Sequence, residues 1–168
     1  METYRGAKLR LWSLLPKGAP AIVNADEVKA GVVIENTYGS VLSGNMIEEC
    51  QGVGVILDRD CYGITISANV IAHEFSGGVE LRDAHGCTVT GNSFPIVWKN
   101  ALVVGPGCGH NTIVGNTTVA SPGIGIGTGV TFGTTDAAVI NATITNNNIS
   151  QTDGNGILAV EFGVAFAV

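Results

Sequence analysis

Five stretches decide how this chain folds: VLSGNMI (41–47), TISANVI (65–71), TVTGNSF (88–94), TIVGNTT (112–118) and TITNNNI (143–149). Each has asparagine at its fifth position, and Asn45, Asn69, Asn92, Asn116 and Asn147 follow one another at 24, 23, 24 and 31 residues. A second motif recurs between them as GVVIE (31–35), GVILD (54–58), GVELR (78–82) and ALVVG (101–105), with GIGIG (123–127) and GILAV (156–160) as looser copies. Both motifs are short, alternate apolar with polar or small residues, and are bounded by Gly and Asn. That is the period-two signature of β-strands separated by tight turns. Self-similarity at this spacing is the mark of a solenoid.

Aligning the copies predicts the interior. The second motif places Val32, Val55, Val79 and Leu102 in one inward column and Ile34, Leu57, Leu81 and Val104 in the next. The first motif adds Leu42, Ile66, Val89, Ile113 and Ile144. A unit this small cannot bury a core alone, so coils stack and share one. The Asn column fits, because Asn tolerates left-handed turns and its amide both donates and accepts. A partial copy, AIVNA (21–25), carries Asn24 at 21 residues before Asn45. The expectation is an all-β, right-handed, single-stranded parallel β-helix of five to six coils over residues 21–168, with residues 1–20 as a cap or lead-in. Six rungs at ~4.8 Å make a stub of roughly 29 Å. Residues 3–15 fit an amphipathic capping helix ended by Pro16, although the Leu9–Leu11 alternation also fits a strand. The apolar end, FGVAFAV (162–168), reads as a truncation point, a trimer contact or a final sheet strand.

Composition narrows the function. The chain has 168 residues, 24 glycines, 13% charged residues, 45% hydrophobic residues and a net charge of −6. Few charges with many apolar residues argue against disorder. The acidic balance lacks the basic footprint of a nucleic-acid binder. No apolar run approaches the ~20 residues of a membrane span, so membrane insertion is not expected. Arg10 and Ser13 interrupt the apolar core Leu9–Leu15, so residues 1–20 do not read as a secretory signal. Cys50, Cys61, Cys87 and Cys108 have no CxxC spacing, which argues against a structural zinc site. Buried free thiols are expected, with a Cys61–Cys87 disulfide left open because spacing alone cannot decide it.

The Gly-Asn-x-Ile pattern at this period resembles the right-handed parallel β-helix repeat of the pectate-lyase-like superfold. That group includes pectate lyases, polygalacturonases, alginate epimerases, NosD-type proteins and phage tailspikes. The resemblance covers residues 22–160 and implies the fold, while function lives in sites grafted on it. It further implies an extracellular or cell-surface setting and a polysaccharide partner, with a polysaccharide lyase or glycoside hydrolase as the enzymatic version. No stretch matches the catalytic motif of any one of those enzyme families.

Charge points to one region. Residues 48–85 hold Glu48, Glu49, Asp58, Arg59, Asp60, Glu74, Glu80, Arg82 and Asp83, together with His73 and His85. The repeat alignment stacks Glu35, Asp58 and Arg82 in one outward column, places Arg59 near Asp83, and sets Glu80 outward beside Ile56. An Arg grips a sugar carboxylate bidentately. Paired carboxylates serve as acid and base in glycoside hydrolysis or offer hard oxygen ligands to calcium. The candidate catalytic residues are therefore Asp58, Arg82 and Glu35. Arg59, Glu80, Asp83, His73 and Glu49 are candidate substrate-binding residues, and calcium is the one cofactor considered. The plainer reading of the same column is an exposed ion-pair ladder that keeps the sheet soluble. Glu48, Glu49, His73 and Glu74 form a second cluster on adjacent rungs, where a His beside carboxylates is placed for general-base work. His85 and His110 read as turn residues.

Two function classes stay open. One is a carbohydrate-associated β-helix that binds or processes an acidic polysaccharide, complete or as a fragment of a longer protein. The other is a non-catalytic structural or adhesive module, motivated by the nearly uncharged C-terminal half, the glycine-alternating GIGIGTG (123–129) and the uncapped apolar end, and it implies a homotrimer or another symmetric assembly.

Overall fold

A computed structural model describes residues 30–167, apart from 75, 106, 121–125, 129, 132–133, 136–141, 155 and 162–163; for the strand residues between 126 and 135 and between 159 and 167 only the backbone is described. The expected cap over residues 3–15 and the partial copy at 21–25 lie outside the described residues.

The described chain is an all-β parallel solenoid without helices. Three sheets run along it. The long sheet stacks Val32–Glu35, Val53–Asp58, Gly77–Leu81, Asn100–Val104, Ile126–Thr128 and Ile157–Glu161 in parallel, and Val164–Ala167 closes it in the antiparallel sense. A second sheet stacks Val41–Ser43, Thr65–Ser67, Thr88–Thr90, Thr112–Val114 and Thr143–Thr145. A third stacks Met46–Glu48, Val70–Ala72, Ser93–Pro95, Thr117–Val119 and Asn148–Ser150. Five stacked strands make four rung steps, so the solenoid advances about four turns, slightly fewer than the five to six expected. Of the three readings of the apolar C-terminus, the final sheet strand is the one observed.

Register reproduces the predicted columns. Val32 pairs with Val55, Val55 with Val79 and Val79 with Leu102. These side chains, with Leu57, Ile66, Leu81, Val89, Phe94 and Ile113, are buried in one continuous core. Burying a Leu, Ile or Phe contributes about 1.5–3 kcal/mol each. The four cysteines are free thiols; Cys61, Cys87 and Cys108 are buried in that core.

Three left-handed corners recur along the coils and set their outline, besides further left-handed residues after the long strands at Asn36, at Arg59 and Asp60, and at Gly107. The first holds Gly39, Gly63, Gly86 and His110, the second Gly44, Ala68, Gly91, Gly115 and Asn146, and the third Glu49, His73, Ile96, Ala120 and Gln151. Successive corners lie five residues apart, which is why the short strands have three residues. The asparagine after the second corner points inward. Asn69 Nδ2 donates to Asn92 Oδ1 (3.0 Å) and Asn92 Nδ2 to Asn116 Oδ1 (3.0 Å), while each backbone amide reaches the same oxygen. The ladder thereby satisfies polar groups of asparagines that are buried behind the corner.

The glycine opening the second motif has a packing cause. A Cβ on Gly54 would lie 2.5 Å from Ile71 Cγ2, and one on Gly78 would lie 2.3 Å from the Ala101 carbonyl oxygen and 2.7 Å from Phe94 Cδ1. The third sheet's large side chains enter the core at that point, so the long strand there must be bare. The 31-residue repeat carries its extra chain as a small antiparallel pair, Val130–Thr131 with Thr134–Thr135.

Candidate functional site: a ledge along the first corner

The long strands end at a turn whose residues line up rung by rung. Glu35 pairs in register with Asp58, and the Arg82 amide donates to the Leu57 carbonyl (2.8 Å), so the predicted Glu35–Asp58–Arg82 column is present. Its side chains diverge. The Asp58 carboxylate turns back to accept the Arg59 amide (2.8 Å). Arg59 Nη1 reaches Glu35 Oε2 at 3.4 Å, an exposed pair of little energetic worth. It is the Asp60 amide, rather than the Arg59 side chain, that meets Asp83, donating to Oδ2 (2.9 Å).

Arg82 turns to the face of the long sheet. Its Nε and Nη2 donate to Glu80 Oε2 at 3.0 and 2.8 Å. Glu80 does sit beside Ile56, as the alignment placed it, but it is only 7% exposed. Burial raises its carboxyl, and Arg82 and Lys99 pull it back down.

Sequence reasoning missed the aromatic part of this ledge. Tyr38, Tyr62 and His85 occupy one column, with ring centroids 5.6 Å apart (12° between planes) and then 5.1 Å apart (22°). The Tyr38 hydroxyl donates to the Asp60 carboxylate, which raises the phenol above its usual range. His85 Nε2 lies 3.4 Å from Asp83 Oδ1. A signal existed, since Tyr38, Tyr62 and His85 recur at 24 and 23 residues like the asparagines. The stacked rings spend their faces on each other, so along the column they offer edges and polar tips. The ledge is therefore a line of carboxylates, hydroxyls, a guanidinium and an imidazole, suited to hydrogen-bonding an extended polar chain.

The second cluster divides in two. His73 Nδ1 lies 2.9 Å from Glu48 Oε1 on the surface, and Glu49 is exposed at the third corner. Glu74, grouped with them by sequence, instead lies wholly inside the solenoid. There its Oε2 accepts the Cys50 amide (3.1 Å) and its Oε1 has no partner. Burial pushes this carboxyl up to about 7, and burial together with the neighbouring Glu74 pushes the Cys50 thiol up to about 12.

Comparison with known proteins gives one match. A protein-family model described as NosD, periplasmic copper-binding protein, matches residues 21–157. No curated protein and no solved structure matches.

That description raises the question of copper. All three histidines and all four cysteines of the chain lie among the described residues. Among those residues no three His, Cys, Asp or Glu side chains converge to hold a metal ion. Copper's soft ligand is the thiolate. Here Cys61 Sγ donates to the Ile34 and Asp58 carbonyls (3.3 Å each) and Cys108 Sγ to the Leu81 carbonyl (3.3 Å). Burial pushes the Cys108 thiol up to about 11. His73 and His85 each face a carboxylate on different corners. The described residues do not fit a copper centre.

Proposed function

The chain belongs to the NosD family, and within that β-helix frame we propose that it binds an extended polysaccharide along the ledge formed by Glu35, Asp58, Arg59, Asp60 and Asp83 with Tyr38, Tyr62 and His85. The observation that carries this reading is the alignment of hydrogen-bonding side chains at one per rung on adjacent coils. A polymer lying along the solenoid axis meets the same chemistry repeatedly. An acidic polymer meets a ledge rich in carboxylates, so Arg59 grips its uronates and calcium bridges carboxylate to carboxylate. Processing is the stronger form of the proposal: it requires Asp58 and Arg82 to leave their present partners and join Glu35 at the reacting bond, and it leaves Glu80, His73 and Glu49 off the ledge. The family's periplasmic description agrees with a place outside the cytoplasm, where such polymers are met.

The test is retention on immobilised uronate and neutral polysaccharides, with and without calcium, alongside unsaturated-uronate absorbance and chain-length analysis. Calcium-dependent retention on uronate polymers, weakened about tenfold by Tyr62→Ala or Arg59→Ala, is expected. Retention by no polymer, or wild-type retention by both variants, overturns the ledge. Absorbance that grows with time identifies a lyase, and chain shortening without it a hydrolase.

A second reading rests on Arg59 and Arg82 each being engaged by a carboxylate of the same chain. In that reading the ledge is structural, the protein is an adhesive or scaffolding module, and a homotrimer is expected by light scattering.

A further inference from the structure

The interior of a stacked β-solenoid is the wrong place for a carboxylate, and Glu74 is in it. The third corner turns at His73 with φ 54°, which sends the next side chain inward. In that position the neighbouring rungs have Cys50 and Val97, and the Glu74 carboxyl is 0% exposed between them. Gly54 makes the room: a Cβ there would stand 3.4 Å from the Glu74 carboxyl carbon and 2.5 Å from Ile71 Cγ2. Oε2 takes the Cys50 amide, and Oε1 faces the core without a donor. A buried polar atom in that state costs a protein free energy, and an ionised one costs more.

We propose that Glu74 is a proton-operated clasp: protonated, it closes the third corner between the coils that contain Cys50 and Glu74, and ionised, it leaves the core and opens that corner. The titratable neighbours are few. Glu48, from the third sheet, opposes ionisation and His73, at the corner itself, favours it. Cys50 stays a neutral thiol through the relevant range. The neighbours from the rung above, Val97 and Phe94, carry no charge. Desolvation is the largest influence and favours the neutral acid. The sign follows. An unfolded Glu ionises near its ordinary value of 4.5 while the folded one holds its proton to about 7, so closure is complete below the first and weakens up to the second. Above that the loss is constant.

The consequence is local. The opened corner exposes the Cys50 amide and thiol, which are half-buried when it is closed. Within the window the opening equilibrium rises up to tenfold per pH unit.

The experiment is hydrogen exchange from pH 4.5 to 8.5 on the intact chain, corrected for intrinsic exchange, with Cys50 alkylation followed by peptide mass spectrometry. In the wild type, protection at residues 49–51, 73, 74 and 76 is expected to fall roughly 40-fold between pH 5 and pH 7 and then level off, while Thr88–Thr90 does not change. Glu74→Gln keeps the shape without the charge and is expected to hold protection constant over that range. A flat wild-type profile, or the same slope in the variant, overturns the proposal. Should the variant fail to fold, carboxyl-carbon titration of the wild type decides: a Glu74 midpoint near 7 supports the clasp, and one near 4.5 sinks it.

Discussion

Ile96 occupies a corner that a β-branched residue rarely accepts, with φ 56° and 41% exposure. A left-handed conformation costs an ordinary L-residue roughly 1–2 kcal/mol. Ile96→Asn is therefore expected to raise stability by about 1 kcal/mol in urea unfolding, since little burial is lost. The opposite holds for Asn92. Its oxygen accepts two hydrogen bonds from Asn69 and its amide donates to Ile66 and Asn116. Asn92→Ala leaves buried donors unanswered and should cost about 2–3 kcal/mol by the same measurement. The two sites also explain what the sequence revealed. The Asn column was legible because one residue type repeats where one chemistry is needed. The third corner was not, because Glu49, His73, Ile96, Ala120 and Gln151 share only a torsion angle. Glu74 was grouped with Glu48, Glu49 and His73 for the same reason: its column, Cys50–Glu74–Val97, has no common chemistry to reveal that it faces inward.

The strands themselves were readable, since period-two alternation and glycine boundaries are local signals. Why the second motif opens with glycine was not, because the reason is a side chain from another sheet. Two alanine substitutions separate the roles. Gly78→Ala drives a methyl against the Ala101 carbonyl at 2.3 Å, a backbone atom that cannot swing away. It is expected to cost about 3 kcal/mol, the upper range for overpacking. Gly86→Ala meets no atom within 4 Å and has only its φ of +60° to overcome. About 1 kcal/mol is expected there. Equal losses in thermal unfolding would show that the clash at Gly78 is relieved by movement of its neighbours. The ledge was half legible at this scale. The alignment found Glu35, Asp58 and Arg82 because charge stands out in a lightly charged chain. It missed the column of Tyr38, Tyr62 and His85, of which His85 alone was read, as a turn residue.

Across the whole molecule every rung is held by the rungs beside it, so stability accumulates coil by coil. The long strands Gly77–Leu81 and Asn100–Val104 are buried almost throughout, whereas Thr143–Thr145 and Asn148–Ser150 are exposed or half-buried throughout. Hydrogen exchange is expected to be slowest in the former pair and fastest in the latter; a uniform rate would indicate all-or-none opening. The number of coils was the least legible quantity, because a repeat count depends on its faintest copies. One feature of the far end bears on how such molecules behave in a crowd. Val164–Ala167 runs against the grain of the six strands before it. A parallel stack is a template that any similar strand can extend, and a reversed last strand presents a hydrogen-bond pattern that the next parallel copy cannot read. A parallel copy of this sheet is therefore expected to dock poorly against Val164–Ala167, so templated growth into a fibre is disfavoured along that edge.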